Sequence, residues 1–298
     1  MKRISFSRLF PAFTVALCLG LAGCATVKDT LYLQDVSVSG PVQQVPIHIN
    51  DESKPGTFHI SPYFAHSNQQ TLEGSAGMSA YSYEPNNLHW SVAGEVIGAD
   101  FDVMASRSVA FTFGIGNASG DGNSYASGNI GLGLLFYGDA VSGRFDGGLR
   151  IHSMNYDAST VVVRETTSWF TSETNTTTMF FHDNANGTVW DYYLSLMLNS
   201  KSNTSPVNVF IQLAFSREAL TDFNPSREVV NGIFYEYIKV DTRASSTASI
   251  LMFTPGVYVN VGQSVRLLGG VRIAKELNLM DANSDPIFMP VFQLDLAI

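Results

Sequence analysis

Arg144, Asp146, Arg150 and His152 stand at alternate or near-alternate positions of one short stretch, with Ser153 beside the histidine. An imidazole that takes a proton, a carboxylate that orients it and a hydroxyl that attacks are the groups a hydrolase assembles. The spacing argues against that use. In an extended chain successive side chains point to opposite faces, so the four even-numbered residues share one face and Ser153 lies on the other. No G-x-S-x-G turn is present to expose a different serine. The same spacing suits a row of charges along one wall. The histidines at 48, 59, 66, 89 and 182 lack the H-x₃-H spacing of a metal pair. Gly114-Ile115-Gly116 precedes no helical pattern and so cradles no phosphate. The Thr- and Ser-rich stretch Thr166 to Thr178 has the composition for sugar contacts, but a solvated loop explains it with fewer assumptions. No catalytic, cofactor-binding or metal-binding residue is assigned, and the chain is not expected to be an enzyme.

These residues need elements to hold them. Charged residues make up 14% of the 298-residue chain, against roughly 25% in an ordinary soluble domain. With 12% aromatics, this composition excludes intrinsic disorder. A net charge of −9 excludes a nucleic-acid footprint. Beyond the N-terminus no apolar run is long enough for a membrane helix. What recurs is alternation with period two, bounded by Gly, Asn, Asp and Ser. Val141, Phe145 and Leu149 line one face of a stretch whose other face carries Arg144, Asp146, Arg150 and His152. Trp190, Tyr192, Leu194 and Leu196 share a face, as do Phe288, Phe292, Leu294 and Leu296 opposite Gln293 and Asp295.

The spacing predicts strands over 57–66, 88–104, 107–117, 127–138, 140–154, 174–184, 188–200, 206–216, 232–241, 247–260, 263–275 and 286–298. That makes about 12; 217–231 is long where a short turn is needed, 201–205 is short where a loop is expected, and 88–104 changes phase near Val96-Ile97 as at a bulge or a break between two elements, so ten is the alternative. Strands this long exceed the usual ~5–6 residues and suit a tilted membrane crossing of ~9–11. Tight turns are expected at Ala105-Ser106, Gly138-Asp139, Asn186-Gly187 and Gly262-Gln263, and long connections near 67–87, 118–126, 155–173 and 276–285. A turn at Gly138-Asp139 pairs Gly133 with Arg144 and Gly131 with Asp146, leaving room for both polar groups. Pairing Lys275 with Pro286 places Arg266 opposite Asp295 and Arg272 opposite Met289; a slip by one residue would set charged against apolar along both strands. Arg144, Asp146, Arg150, His152, Arg266, Arg272 and Asp295 are therefore expected to form a charge network on an inner face.

The N-terminus supplies an address. Lys2, Arg3 and Arg8 precede the apolar stretch Pro11 to Leu21, which has secretory-signal length. Leu21-Ala22-Gly23-Cys24 resembles the lipobox of bacterial lipoproteins. That resemblance implies that residues 1–23 are removed, that Cys24 carries acyl chains, and, with Ala25 following, that the product reaches the outer membrane of a Gram-negative bacterium. Cys18 leaves with the signal, so no thiol remains for a disulfide or metal. Residues 24–56, with Gly40, Pro41, Pro46 and Pro55, read as a lipidated tether carrying at most one short strand.

Residues 57–298 resemble the outer-membrane β-barrel (porin-like) superfamily, on pattern and not on a family motif. The resemblance implies an all-β, antiparallel, up-and-down barrel. Two features depart from it: the chain ends in Ile298 and not Phe or Trp, and such barrels usually lack a lipobox. Two functional readings stay open. One is a lipid-anchored outer-membrane barrel, acting as a small pore or as a structural and surface-interaction protein. The other is a soluble, lipid-tethered β-sandwich or barrel that binds a ligand or partner in the periplasm or at the cell surface. An outer-membrane lipid-modifying hydrolase ranks third. The expected partners are membrane lipid, through Cys24 and the barrel wall, and no nucleic acid.

Overall fold

The computed structural model describes residues 25–42, 44–49, 54–67, 71–75, 87–120, 122–168, 171–201, 206–223, 235–238, 244–262, 264–278 and 285–298. Residues 1–23, expected to be a signal peptide, and Cys24 lie outside them. In chain order the strands are β1 (Ala25–Gly40), β2 (Phe58–His66), β3 (Thr71–Ser75), β4 (Asn87–Val92) and β5 (Glu95–Ser106). There follow β6 (Val109–Gly120), β7 (Asn123–Tyr137), β8 (Val141–Ser168), β9 (Thr174–Ser200) and β10 (Val207–Phe223). The last are β11 (Tyr235–Ile238), β12 (Ala244–Asn260), β13 (Val265–Glu276) and β14 (Ile287–Ala297).

Ten strands close into an antiparallel ring, in the order β2, β5, β6, β7, β8, β9, β10, β12, β13, β14 and back to β2. Closure leaves no unpaired edge within the ring. The faces divide as the alternation requires. Val141, Phe145 and Leu149 are exposed on the outside, while Ser142, Arg144, Asp146, Arg150 and His152 are buried inside. Every ring strand turns at least one large apolar side chain outward, from Phe64 on β2 to Phe292 on β14.

The expected count of twelve changes for two reasons. Residues 174–184 and 188–200 are one strand, β9, and β11 lies off the ring against β1. Asn186-Gly187 makes no turn: Asn155 pairs with Asn186 and Met154 with Gly187 in an unbroken ladder. Gly187 is there because the Tyr156 ring occupies the space that a Cβ would need. The expected loop 155–173 is mostly strand, since β8 continues to Ser168. Its Val161-Val162-Val163 run and the threonines of β9 are strong strand formers. The loop expected at 118–126 is a tight turn with Gly122 at φ 76°. The phase change near Val96 separates β4 from β5. Between β7 and β8 the register is two residues from the expected one: Gly133 faces Asp146 and Leu135 faces Arg144. The connection is longer, closed by the Gly138 amide donating to the Val141 carbonyl. A shift of two preserves the faces.

The four extra strands build on the long β8–β9 hairpin. Between Asn155 and Ser168, β8 carries β1 on the edge that it gives to β7 lower down. β4 and β11 pair in parallel with β1, and β3 pairs with β4. The ring therefore has two unlike ends. The short connections at 107–108, 138–140, 201–206 and 261–264 define a turn end, together with Ile298, which bonds Phe58. The hairpin and its added strands stand at the far end.

Candidate functional site

β1 starts at the far end, where Ala25 pairs with Ser168, and descends to Ser39 opposite Asn155. Residues 44–49 then enter the ring, and the chain leaves at the turn end, where Gly56 donates to the Met104 carbonyl. Gln44, Val45, Ile47, His48 and Ile49 are all buried. The sequence, read as a tether here, gave two signs of this path: an apolar run with almost no charge, and Pro46, which has no N–H to leave unpaired.

Side chains of the wall hold this segment by its carbonyls. Arg272 Nη2 donates to Val45 O at 2.7 Å and Gln212 Nε2 to Pro46 O at 2.6 Å. Gln293 Nε2 donates to Ile47 O at 2.6 Å and Arg266 Nη1 to Ile49 O at 3.0 Å. Arg272 Nη1 also donates to Gln44 Oε1 at 2.7 Å. Among the described residues, none of 44–49 joins a strand ladder. Sequence patterning placed Gln293 and Arg272 on the inner face but could not supply the backbone they bind. Beside the segment lies a cavity of about 10 Å³, bordered by Gln44, Tyr63, Asp100 and Arg272. That is room for about one water molecule.

The seven residues expected to form one network all lie on the inner side, but in separate groups. Arg144 grips Asp102 with both terminal nitrogens, at 2.7 and 2.8 Å, and donates through Nε to Asp146 at 2.6 Å. Thr112 accepts from the same guanidinium at 2.8 Å and donates to Asp102 at 3.1 Å. This group joins β8 to β5 across two intervening strands. Arg266 meets Asp295 at 3.1 Å, directly across the β13–β14 ladder. His59 and Ser61 of β2 contact the other oxygen of Asp295, at 3.1 and 3.2 Å. His152 Nδ1 lies 2.7 Å from Asp191, a partner that sequence did not single out. Arg150 stands on the ladders opposite Asn129 and Asp191. Arg272 belongs with the lumen segment. Ser153, on the other face from His152, donates to the Ala126 carbonyl at 3.4 Å and is no nucleophile for it.

No protein-family model matches the chain, and no curated protein does either. Solved structures similar to it are outer-membrane proteins. The N-terminal β-barrel domain of OprF from Pseudomonas aeruginosa is 6% identical, over 83% of this chain and 100% of that one, with a TM-score of 0.32. The outer membrane protease OmpT from Escherichia coli is 8% identical over 82% and 97%, with a TM-score of 0.39. An outer membrane channel from Pseudomonas putida F1 is 8% identical over 85% and 100%, also at 0.39. Likeness at this distance carries nothing about activity; the closed ring stands on this chain's own ladders.

Outside the lumen, an open cleft of about 710 Å³ at the far rim is bordered by His66, Ser67, Glu95, Asn123 and Ser124. His66 and Glu95 approach to 4.0 Å across it, and both are exposed. The arrangement is that of a solvated rim. Across the interior, forked, charge-assisted bonds lock strands to one another and to a threaded segment.

Proposed function

We propose that the chain is an outer-membrane β-barrel of a Gram-negative bacterium. In this reading it is a structural protein, without catalysis, that holds a β-sheet platform on the cell surface. The observation that carries this is the inverted distribution of polarity: large apolar residues outside on all ten ring strands, arginines and carboxylates within. A soluble barrel would bury the apolar face, whereas a lipid-facing wall demands that it be outside. On β8 the outward apolar positions run from Val141 to Ile151. Ten steps of ~3.3 Å at a tilt of ~40° give a band ~25 Å tall, the height of an outer-membrane wall. Trp190 stands at the upper margin of that band, where its ring suits the lipid–water interface.

Outer-membrane barrels keep short turns in the periplasm and longer segments outside. By that rule the turn end faces the periplasm, and β1, β3, β4 and the upper β8–β9 hairpin stand on the surface. The partners are membrane lipid along the wall and, by the lipobox resemblance, acyl chains carried on Cys24 ahead of β1. Ser37→Cys and Thr176→Cys on the far side, and Ser108→Cys and Asp139→Cys at the turn end, test this in intact cells with a membrane-impermeant maleimide. The first pair should label and the second should not. Labelling of the turn-end pair alone would reverse the orientation, and labelling of all four in washed soluble protein would remove the membrane.

A further inference from the structure

We propose that the lumen is a latent path for small cations and that residues 44–49 are its removable stopper. This rests on the membrane-embedded reading above. The ring does not need the segment: each of its ten strands is laddered to two neighbours, and closure runs through β8–β9 and β14–β2. The segment, by contrast, joins no ladder: donors from β10, β13 and β14 reach its carbonyls, and Val45, Ile47 and Ile49 pack against apolar residues of the wall. Its departure would break no strand pairing, and the freed amide and guanidinium donors would be satisfied by water.

The length fits a stopper. Six extended residues at ~3.3 Å each cover ~20 Å, most of the height of the wall. With the segment in place, the cavity beside it at Tyr63 and Asp100 is about 10 Å³, room for about one water molecule. The lining is mixed. Ile47 and Ile49 pack with Tyr125, Met197, Phe210 and Leu268, while Gln212, Gln293, Arg266 and Arg272 donate to the segment's carbonyls. Among the described residues of the ring, seven buried carboxylates stand against four buried arginines. An exposed lumen would therefore carry net negative charge and favour cations.

The test uses the full chain, folded first and cut afterwards. A protease recognition sequence replaces residues 50–53, between the segment and β2, and the protein is reconstituted in planar bilayers with potassium chloride. Uncut protein should be closed. After cutting, the free end of the segment can leave toward the far side, and stable openings should appear whose reversal potential follows potassium. The double variant Gln212→Ala/Gln293→Ala, left uncut, should open intermittently because two of the four carbonyl anchors are gone. A cut protein as silent as the uncut one, openings that prefer chloride, or an uncut wild type that already conducts equally would each overturn the proposal. Heat-modifiable migration and vesicle insertion are read on the same sample. Failure to insert overturns the membrane reading together with this one; insertion with a silent cut overturns this one alone.

Discussion

Arg144 and Asp102 are locked by two hydrogen bonds of 2.7 and 2.8 Å although β7 and β6 lie between their strands. The guanidinium can cross β7 because residue 133 is glycine. A Cβ built there would stand 2.5 Å from both Nε and Nη2 of Arg144.

Gly133→Ala should therefore displace the arginine from its carboxylates and lower barrel stability by about 1–3 kcal/mol, the usual cost of an overpacked site. Arg144→Met should cost more, ~3–5 kcal/mol, since it leaves Asp102 and Asp146 buried without their cation. In the Arg144→Met background, Gly133→Ala should add little, because the clash has gone. Urea titrations of refolded protein, read as a double-mutant cycle, measure this coupling. Additive losses would show that the glycine serves some other purpose.

Leu194 is 46% exposed on the outward side of β9 and Phe180 is 67% exposed higher on the same strand. Leu194→Arg should cost about 2–4 kcal/mol in vesicles, as a charge near mid-bilayer does. Phe180→Arg, on the part of the hairpin above the band, should change stability little. Equal costs at both sites would mean that the band ends elsewhere than at Trp190.

Asp29 of β1 and Arg164 of β8 form a forked pair at 2.8 and 2.7 Å above the rim, with Asp29 buried. Asp29→Ala should loosen the top of β1 by about 1.5–3 kcal/mol, the range for hydrogen bonds to charged groups. Hydrogen exchange should quicken at residues 27–33 and stay slow in the ring. Faster exchange throughout the ring would make the platform and the barrel one cooperative unit.

Cys24 directly precedes β1. Cys24→Ser should abolish lipid attachment and leave an uncleaved precursor, read by mass spectrometry of the purified N-terminus. An unmodified cysteine in the wild-type protein would end the lipoprotein reading.

The parts of this molecule legible in the sequence are those where one strand contacts the next. At the C-terminal hairpin the charge pattern tolerates one register, and Arg266 does face Asp295, Leu268 faces Gln293, and Val261 donates to the Val265 carbonyl. Alternation also assigned the outward and inward faces of β8, β9 and β14. Illegible were relations that cross the lumen or leave the wall. Nothing near Arg144 names Asp102, 42 residues away, as its partner. Asn-Gly carries the same local signal whether it turns or makes room for Tyr156. An apolar run between prolines looks the same in a tether as in a barrel, because what distinguishes them is a set of donors on β10, β13 and β14 that become neighbours only when these strands assemble with β12 into one sheet.

The path of residues 25–56 imposes an order on assembly. β1 is fastened to β8 at one mouth of the ring, β2 is part of the ring's wall, and residues 44–49 between them lie inside the ring. A ring sealed first would have to admit β1 through an opening already narrowed by inward side chains. The economical route is for the N-terminal segment to lie along the growing sheet while it is still an open, curling surface, with β14 joining β2 as the last seam. The enclosed segment then acts as a mandrel around which the sheet is wound. Refolding kinetics would carry the mark of this: a chain that closes before the enclosed segment is in place must reopen that seam, and should pass through a slow phase that disappears when residues 25–49 are deleted.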